Sequence, residues 1–148
     1  MHANNEVGTL QPVKELAAVS HKYGILFHTD AAQSAGKVTI DVQELGIDML
    51  TLAAHKMYAP KGIGALYIKK GVVLDNLIHG AGQERNLRAG TENLLEIVGF
   101  GEAASVAVRD LDKNQEHLAD MRNMLQKQLL TLIPSLHIHS IPQLGLPN

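Results

Sequence analysis

The sequence predicts an α/β fold, on three observations. Short apolar runs at residues 25–30, 47–52 and 65–68 have the length and composition of strands. Segments of helical spacing are interleaved with them, and strand, short helix, strand is the rhythm of an α/β sheet. Two of the runs also end on chemistry: Asp30 closes the first, and His55 and Lys56 follow the second. In such sheets ligands sit outside the carboxyl ends of the strands.

Composition sets the bounds. A chain of 148 residues suits one domain, and 45% apolar residues are enough to bury a sizeable core. Thirteen basic residues against fifteen acidic ones give a net charge of −2, with no electrostatic footprint for nucleic acid. No apolar run approaches the roughly 18 residues of a membrane-spanning helix, and no basic-then-apolar leader opens the chain. A soluble, cytoplasmic protein without a membrane partner is therefore expected. Cysteine is absent, which excludes disulfides, thiolate metal sites and any nucleophilic thiol supplied by this chain.

In order along the chain, residues 1–8 are polar turn formers. Pro12 sits at a helix start, Val13, Leu16, Ala17 and Val19 continue at helical spacing to His21, and Gly24 is placed as a left-handed cap. The run at 25–30 is a strand ending on a carboxylate. Residues 31–36 are small and polar, suited to a tight passage beside a ligand. Residues 38–40 read as extended and 42–45 as one helical turn. The strand at 47–52 leads to His55 and Lys56; Pro60, Gly62 and Gly64 then force a turn into the strand at 65–68. Further on, Leu95, Val98, Ala103 and Val106 mark a helix over 92–110, with Gly99 and Gly101 as soft points. A second helix over 116–132 has Leu118, Met121, Leu125 and Leu129 on its apolar side and stops before Pro134. His137, Ile138 and His139 alternate like an edge strand. No carboxylate or third histidine lies close in sequence, so an exposed strand face is expected there rather than a metal site.

A lysine at a strand-to-turn junction inside apolar sequence is costly without a partner or a task. A desolvated lysine amine has one task available, a Schiff base with a carbonyl, above all that of pyridoxal phosphate. Asp30, past the end of a neighbouring strand, could face the same crevice and keep a pyridine nitrogen protonated. Gln33 and Asn5 could each donate to the ring's phenolic oxygen. Alone, Asp30 and Gln33 read equally well as a helix N-cap and its capping-box partner; together with Lys56 they favour a pyridoxal 5'-phosphate site.

Four motifs then follow one another in order. They are Met1-His2-Ala3-Asn4-Asn5-Glu6-Val7-Gly8, the stretch from His28 to Lys37, the stretch from Ala54 to Tyr67, and Gly82-Gln83-Glu84-Arg85-Asn86-Leu87-Arg88-Ala89-Gly90-Thr91-Glu92-Asn93. Over residues 1–110 the chain resembles the pyridoxal phosphate-dependent cysteine desulfurases, the NifS/IscS-like branch of the class V aminotransferase superfamily. The resemblance implies part of the large domain of an aspartate aminotransferase-like transferase over 1–110. Residues 111–148 would then be the helical connection and the start of the small C-terminal domain. It implies that Lys56 carries the cofactor, Asp30 partners the pyridinium nitrogen, and Asn5 and Gln33 lie near the phenolic oxygen. By the same resemblance His55 contacts the phosphate, and Thr91 reaches the phosphate of a neighbouring subunit's cofactor in a homodimer. Arg85 and Arg88 would help order that dimer contact. Where many relatives have a phosphate-contacting serine, this chain has Ala53.

The implied reaction converts L-cysteine to L-alanine and passes the sulfur, through an enzyme persulfide, to a sulfur-acceptor scaffold protein for iron-sulfur cluster assembly. The motifs match only the middle of the family's large domain, and no cysteine is present to carry the persulfide. The chain is accordingly expected to be a fragment of a longer product, inactive alone. A selenocysteine lyase and a truncated non-enzymatic remnant stay open as alternatives.

Overall fold

The computed structural model describes residues 1–139 and 144–148. Helix α1 spans Val13–Lys22, strands β1, β2 and β3 span His28–Asp30, Met49–Ala53 and Gly64–Ile68, and helices α2 and α3 span Leu94–Arg109 and Leu111–Leu132. The sheet order is β1-β2-β3, with β1 and β2 parallel and β2 and β3 antiparallel. The α/β expectation holds as a mixed, three-stranded sheet.

Helix α1 ends as Gly24 foretells. Gly24 takes φ +68 and donates to His21 O at 3.0 Å, while Ile25 N–H donates to Ser20 O at 3.0 Å. These paired bonds are the Schellman closure, which needs a left-handed residue after the helix. The next strand is shorter than expected. Residues 25–27 precede the ladder, and β1 proper has three residues.

The carboxylate of Asp48 explains why residues 25–27 serve another purpose. It accepts Phe27 N–H at 2.9 Å, His21 Nε2 at 2.7 Å and Lys69 Nζ at 3.0 Å, tying α1, the approach to β1 and the end of β3 to the start of β2. Burial by itself raises the Asp48 carboxyl, whose side chain is 4% exposed. The Phe27 N–H and the bonds from His21 and Lys69 outweigh that and hold its pKa at about 2.

The crossover from β1 to β2 is built from turns. Asp41 Oδ1 accepts the Gln43 and Glu44 amides at 2.8 and 3.0 Å, opening the single turn expected near 42–45. The core lies under one face of the sheet: Ala31, Ile47 and Leu50, with Phe27, Ile40, Val42, Leu45, Leu52 and Tyr67 packed around them. Pairing register puts His28, Asp30, Thr51 and Leu66 on the other face.

Helix α2 runs as read, whereas α3 begins five residues earlier than the spacing suggested, at Leu111 rather than 116. Residues 137–139 form no strand. The expected edge strand is instead irregular chain with the His137 and His139 rings edge-to-face at 6.2 Å. Alternation over three residues cannot make a strand without a neighbour to pair with. The chain's far ends meet. Leu10 N–H donates to Leu144 O at 2.9 Å, and Leu146 N–H donates to Gly8 O at 2.8 Å. Among the described residues no helix is long and apolar enough to cross a membrane, and no group of three or more His, Asp or Glu side chains gathers as for a metal ion.

Candidate cofactor site

Parallel pairing makes β1 and β2 deliver their following residues to the same end of the sheet. Asp30 ends β1 opposite Thr51, and Ala31 N–H donates to Thr51 O at 2.9 Å. β2 stops at Ala53, and the chain makes one tight turn, Ala54–Met57, with Ala54 and Met57 buried and His55 and Lys56 exposed between them. Glycine permits the close approach of β3 here: a Cβ on Gly64 would stand 2.7 Å from Leu52 O. Met57 is the anchor beneath the lysine. A Cβ on Gly36, at φ +74, would fall 3.0 Å from Met57 Cγ and 3.2 Å from Ala107 Cβ, so the 31–37 turn, the lysine turn and α2 converge at that side chain. Gly99, expected as a soft point of α2, is a contact: a Cβ there would lie 3.1 Å from the Pro60 ring.

The structure brings most of the sequence-predicted residues to this end. Asp30 Oδ1 accepts Ala32 N–H at 2.8 Å, leaving Oδ2 without a partner among the described residues. No helix follows Asp30, so the N-cap reading yields to a capped turn, with Gln33 half-buried in it. Asn5 is exposed in the 5–7 turn, whose amides at Glu6 and Val7 are held by Asn4 Oδ1 at 2.9 Å. Lys56 has no side-chain partner among the described residues.

Thr91 stands apart. It is exposed on the stretch leading into α2, and among the described residues no hydrogen bond joins residues 78–93 to the strand ends. The loop before it is strained: Glu84, Arg85 and Asn86 all take positive φ, at 48, 58 and 64°. Three consecutive left-handed residues cost about 1 kcal/mol each. Arg85 is exposed, and Arg88 donates to Ala89 O at 3.1 Å.

Sequence reasoning missed three neighbours of this site. Burial pushes the Lys37 ammonium down, and the nearby charge of Lys56 adds to that effect. His28 Nε2 lies 2.8 Å from Thr51 Oγ1 on the open face beside Asp30. His2, buried, lies with Nδ1 2.9 Å from Ser34 Oγ. All three fall inside quoted motifs. Their neighbours across the chain, which give them meaning, are invisible to spacing.

The family model of class-V aminotransferases matches residues 1–143. The chain belongs to the class-V aminotransferase family. Within that family it is 45% identical over 148 residues to the cysteine desulfurase IscS of Dictyoglomus turgidum. It is 49% identical over 148 residues to a cysteine desulfurase of Sinorhizobium fredii. Each match takes in 100% of this chain but 38% of the relative, so the chain spans well under half the length of these curated proteins. A solved NifS-like protein superposes with a TM-score of 0.94 at 42% identity, covering 100% of this chain and 40% of that one. A structure named SspA in complex with cysteine matches with a TM-score of 0.68 at 52% identity over 70% of this chain and 30% of that one. The class-V fold, an α/β architecture, is thereby shown.

Proposed function

We propose that these residues form the pyridoxal phosphate-binding heart of a cysteine desulfurase. The observation that carries the reading is the delivery of Asp30 and Lys56 to one end of adjacent parallel strands, each with a polar atom that has no partner among the described residues. That donor set fits the group: a carboxylate oxygen for a pyridinium nitrogen and an unpaired amine for an aldehyde. The bound cofactor would supply an electron sink for the carbanion formed at the substrate α-carbon.

The remaining roles belong to the chain. Asp30 Oδ2 holds the proton on the ring nitrogen. Lys56 Nζ would hold the cofactor, and its amine would move a proton at the substrate α-carbon. Gln33 and Asn5 orient the phenolic oxygen, and His55 binds the phosphate, with Ala53 contributing nothing where relatives have a hydroxyl. Thr91 reaches the phosphate of a second subunit's cofactor in a homodimer, which suits its position on a loop apart from its own strand ends. Sulfur leaves on a thiol that this cysteine-free chain does not supply, bound for an acceptor protein of iron-sulfur cluster assembly in the cytoplasm. Residues 1–110 act as part of the large domain and 111–148 as the connection toward the small one.

Borohydride reduction in the presence of pyridoxal phosphate, followed by peptide mapping, tests the assignment. A pyridoxyl group on Lys56 is the expected result; labelling of Lys61 or Lys69 in its place removes the reading.

A further inference from the structure

Residues 1–11 carry Asn5, and residues 28–37 carry Asp30 and Gln33. Among the described residues, every hydrogen bond between these two stretches runs through His2. Its N–H donates to Asp30 O at 2.7 Å, and its ring Nδ1 lies 2.9 Å from Ser34 Oγ. Its own carbonyl accepts Gln11 N–H at 2.8 Å, fixing it to the approach to α1. Both partners of the ring bond are buried, His2 at 6% and Ser34 at 0% exposure.

The direction of that bond follows from proton counting. A serine hydroxyl has one proton, and Ser34 Oγ donates it to Ala31 O at 3.3 Å. With that proton on Ala31 O, the His2 ring donates through Nδ1–H and Nε2 is unprotonated, an assignment of the tautomer that the experiment below checks. Burial, which lowers the pKa of the His2 ring, favours this neutral form.

We propose that the His2–Ser34 pair is a positioning device that fixes Asn5 and Gln33 relative to each other around the cofactor's phenolic oxygen. The proposal rests on the cofactor reading above. His2 touches no reacting atom. It acts through the backbone, because Gln33 immediately precedes Ser34 and the 5–7 turn begins three residues after His2. Losing the ring bond leaves one hydrogen bond, the His2 amide on Asp30 O, to hold two segments against rotation about it. Donors to a phenolic oxygen set its acidity, so displacing either donor must alter the absorbance of the cofactor held on Lys56.

The test uses the whole chain loaded with millimolar pyridoxal phosphate, as wild type, Ser34→Ala, His2→Ala and His2→Asn. Circular dichroism establishes that each is folded. Nitrogen NMR of the His2 ring, without cofactor, should show a neutral Nδ1–H ring at pH 7. An Nε2–H or doubly protonated ring overturns the proposal without touching the cofactor reading. Ser34→Ala and His2→Ala should shift the pH midpoint of the cofactor's long-wavelength band by about half a unit or more. His2→Asn, whose amide N–H can replace Nδ1–H, should restore it. A wild-type midpoint in Ser34→Ala overturns the positioning role while cofactor attachment to Lys56 stands. Absence of any borohydride-fixed label on Lys56 in the wild type removes the cofactor reading and this proposal together.

Discussion

Tyr58 sits two residues beyond Lys56 with φ 63 and its ring wholly exposed, at 100%. A left-handed tyrosine costs about 1 kcal/mol, and here the ring covers nothing that offsets it. Tyr58→Gly is accordingly expected to stabilise the chain by about 1 kcal/mol in urea unfolding, since glycine takes this conformation freely. A loss of stability would mean that the ring makes contacts in solution. Asp30 is the other residue whose role separates cleanly. Under the proposed function, Asp30→Asn in a longer protein carrying these residues should lower turnover by about a hundredfold or more while leaving the cofactor attached to Lys56. Turnover near wild type would reduce Asp30 to the cap of the Ala32 amide. At this scale the sequence was informative about identity and poor about surroundings. Lys56 stands out because a strand cannot easily end on a lysine, and Asp30 because a second strand ends beside it. Lys37 and His2 gave no such signal: the groups they meet, Lys56 for the one and Ser34 for the other, lie far away along the chain.

Among the elements, the Asp48 knot and the Met57 junction are the two places where local sequence and tertiary packing meet. A carboxylate with its pKa depressed to about 2 contributes stability that is fully present above the unfolded value near 4 and is lost as pH falls toward 2. The wild-type chain should therefore lose stability steeply over that window, and Asp48→Asn should flatten the profile. Asp48→Ala, which strands the Phe27 amide and unpairs His21 and Lys69, should cost about 2 kcal/mol at neutral pH. At the junction, Gly36→Ala places a Cβ at a left-handed φ of 74 and 3.0 Å from Met57 Cγ, so a loss of at least about 1 kcal/mol is expected by thermal melting. Legibility at this scale followed punctuation. Gly24, Pro12 and Gly62 announced a helix end, a helix start and a turn because each supplies backbone freedom or rigidity locally. The early start of α3 and the missing strand at 137–139 lacked such markers, being settled by what the neighbouring chain offers to pair with.

For the molecule as a whole, the absence of cysteine gives a direct expectation. Incubated with pyridoxal phosphate, L-cysteine and a reductant, the chain as it stands should release no sulfide above a protein-free control, since it holds no thiol to take the sulfur. Sustained release that Lys56→Ala abolishes would contradict this. The meeting of residues 8–10 with 144–146 carries a different consequence, one of timing. β2 and β3 are joined by a short connection, β1 reaches β2 across a longer one, and His2 reaches Asp30 across one longer still. The two bonds between the far ends close almost the whole chain. Nearby pairings form fastest and distant ones slowest. On that basis the turn carrying Lys56 is expected to form before Asp30 joins it, with Asn5 last, an order that hydrogen-exchange labelling during refolding would check. The last seam to zip is also the first to open, so the Leu10 and Leu146 amides should exchange with solvent sooner than those of β2. The end of the sheet that carries the lysine matures from the centre outward, and heat should dismantle it from the Asn5 side inward.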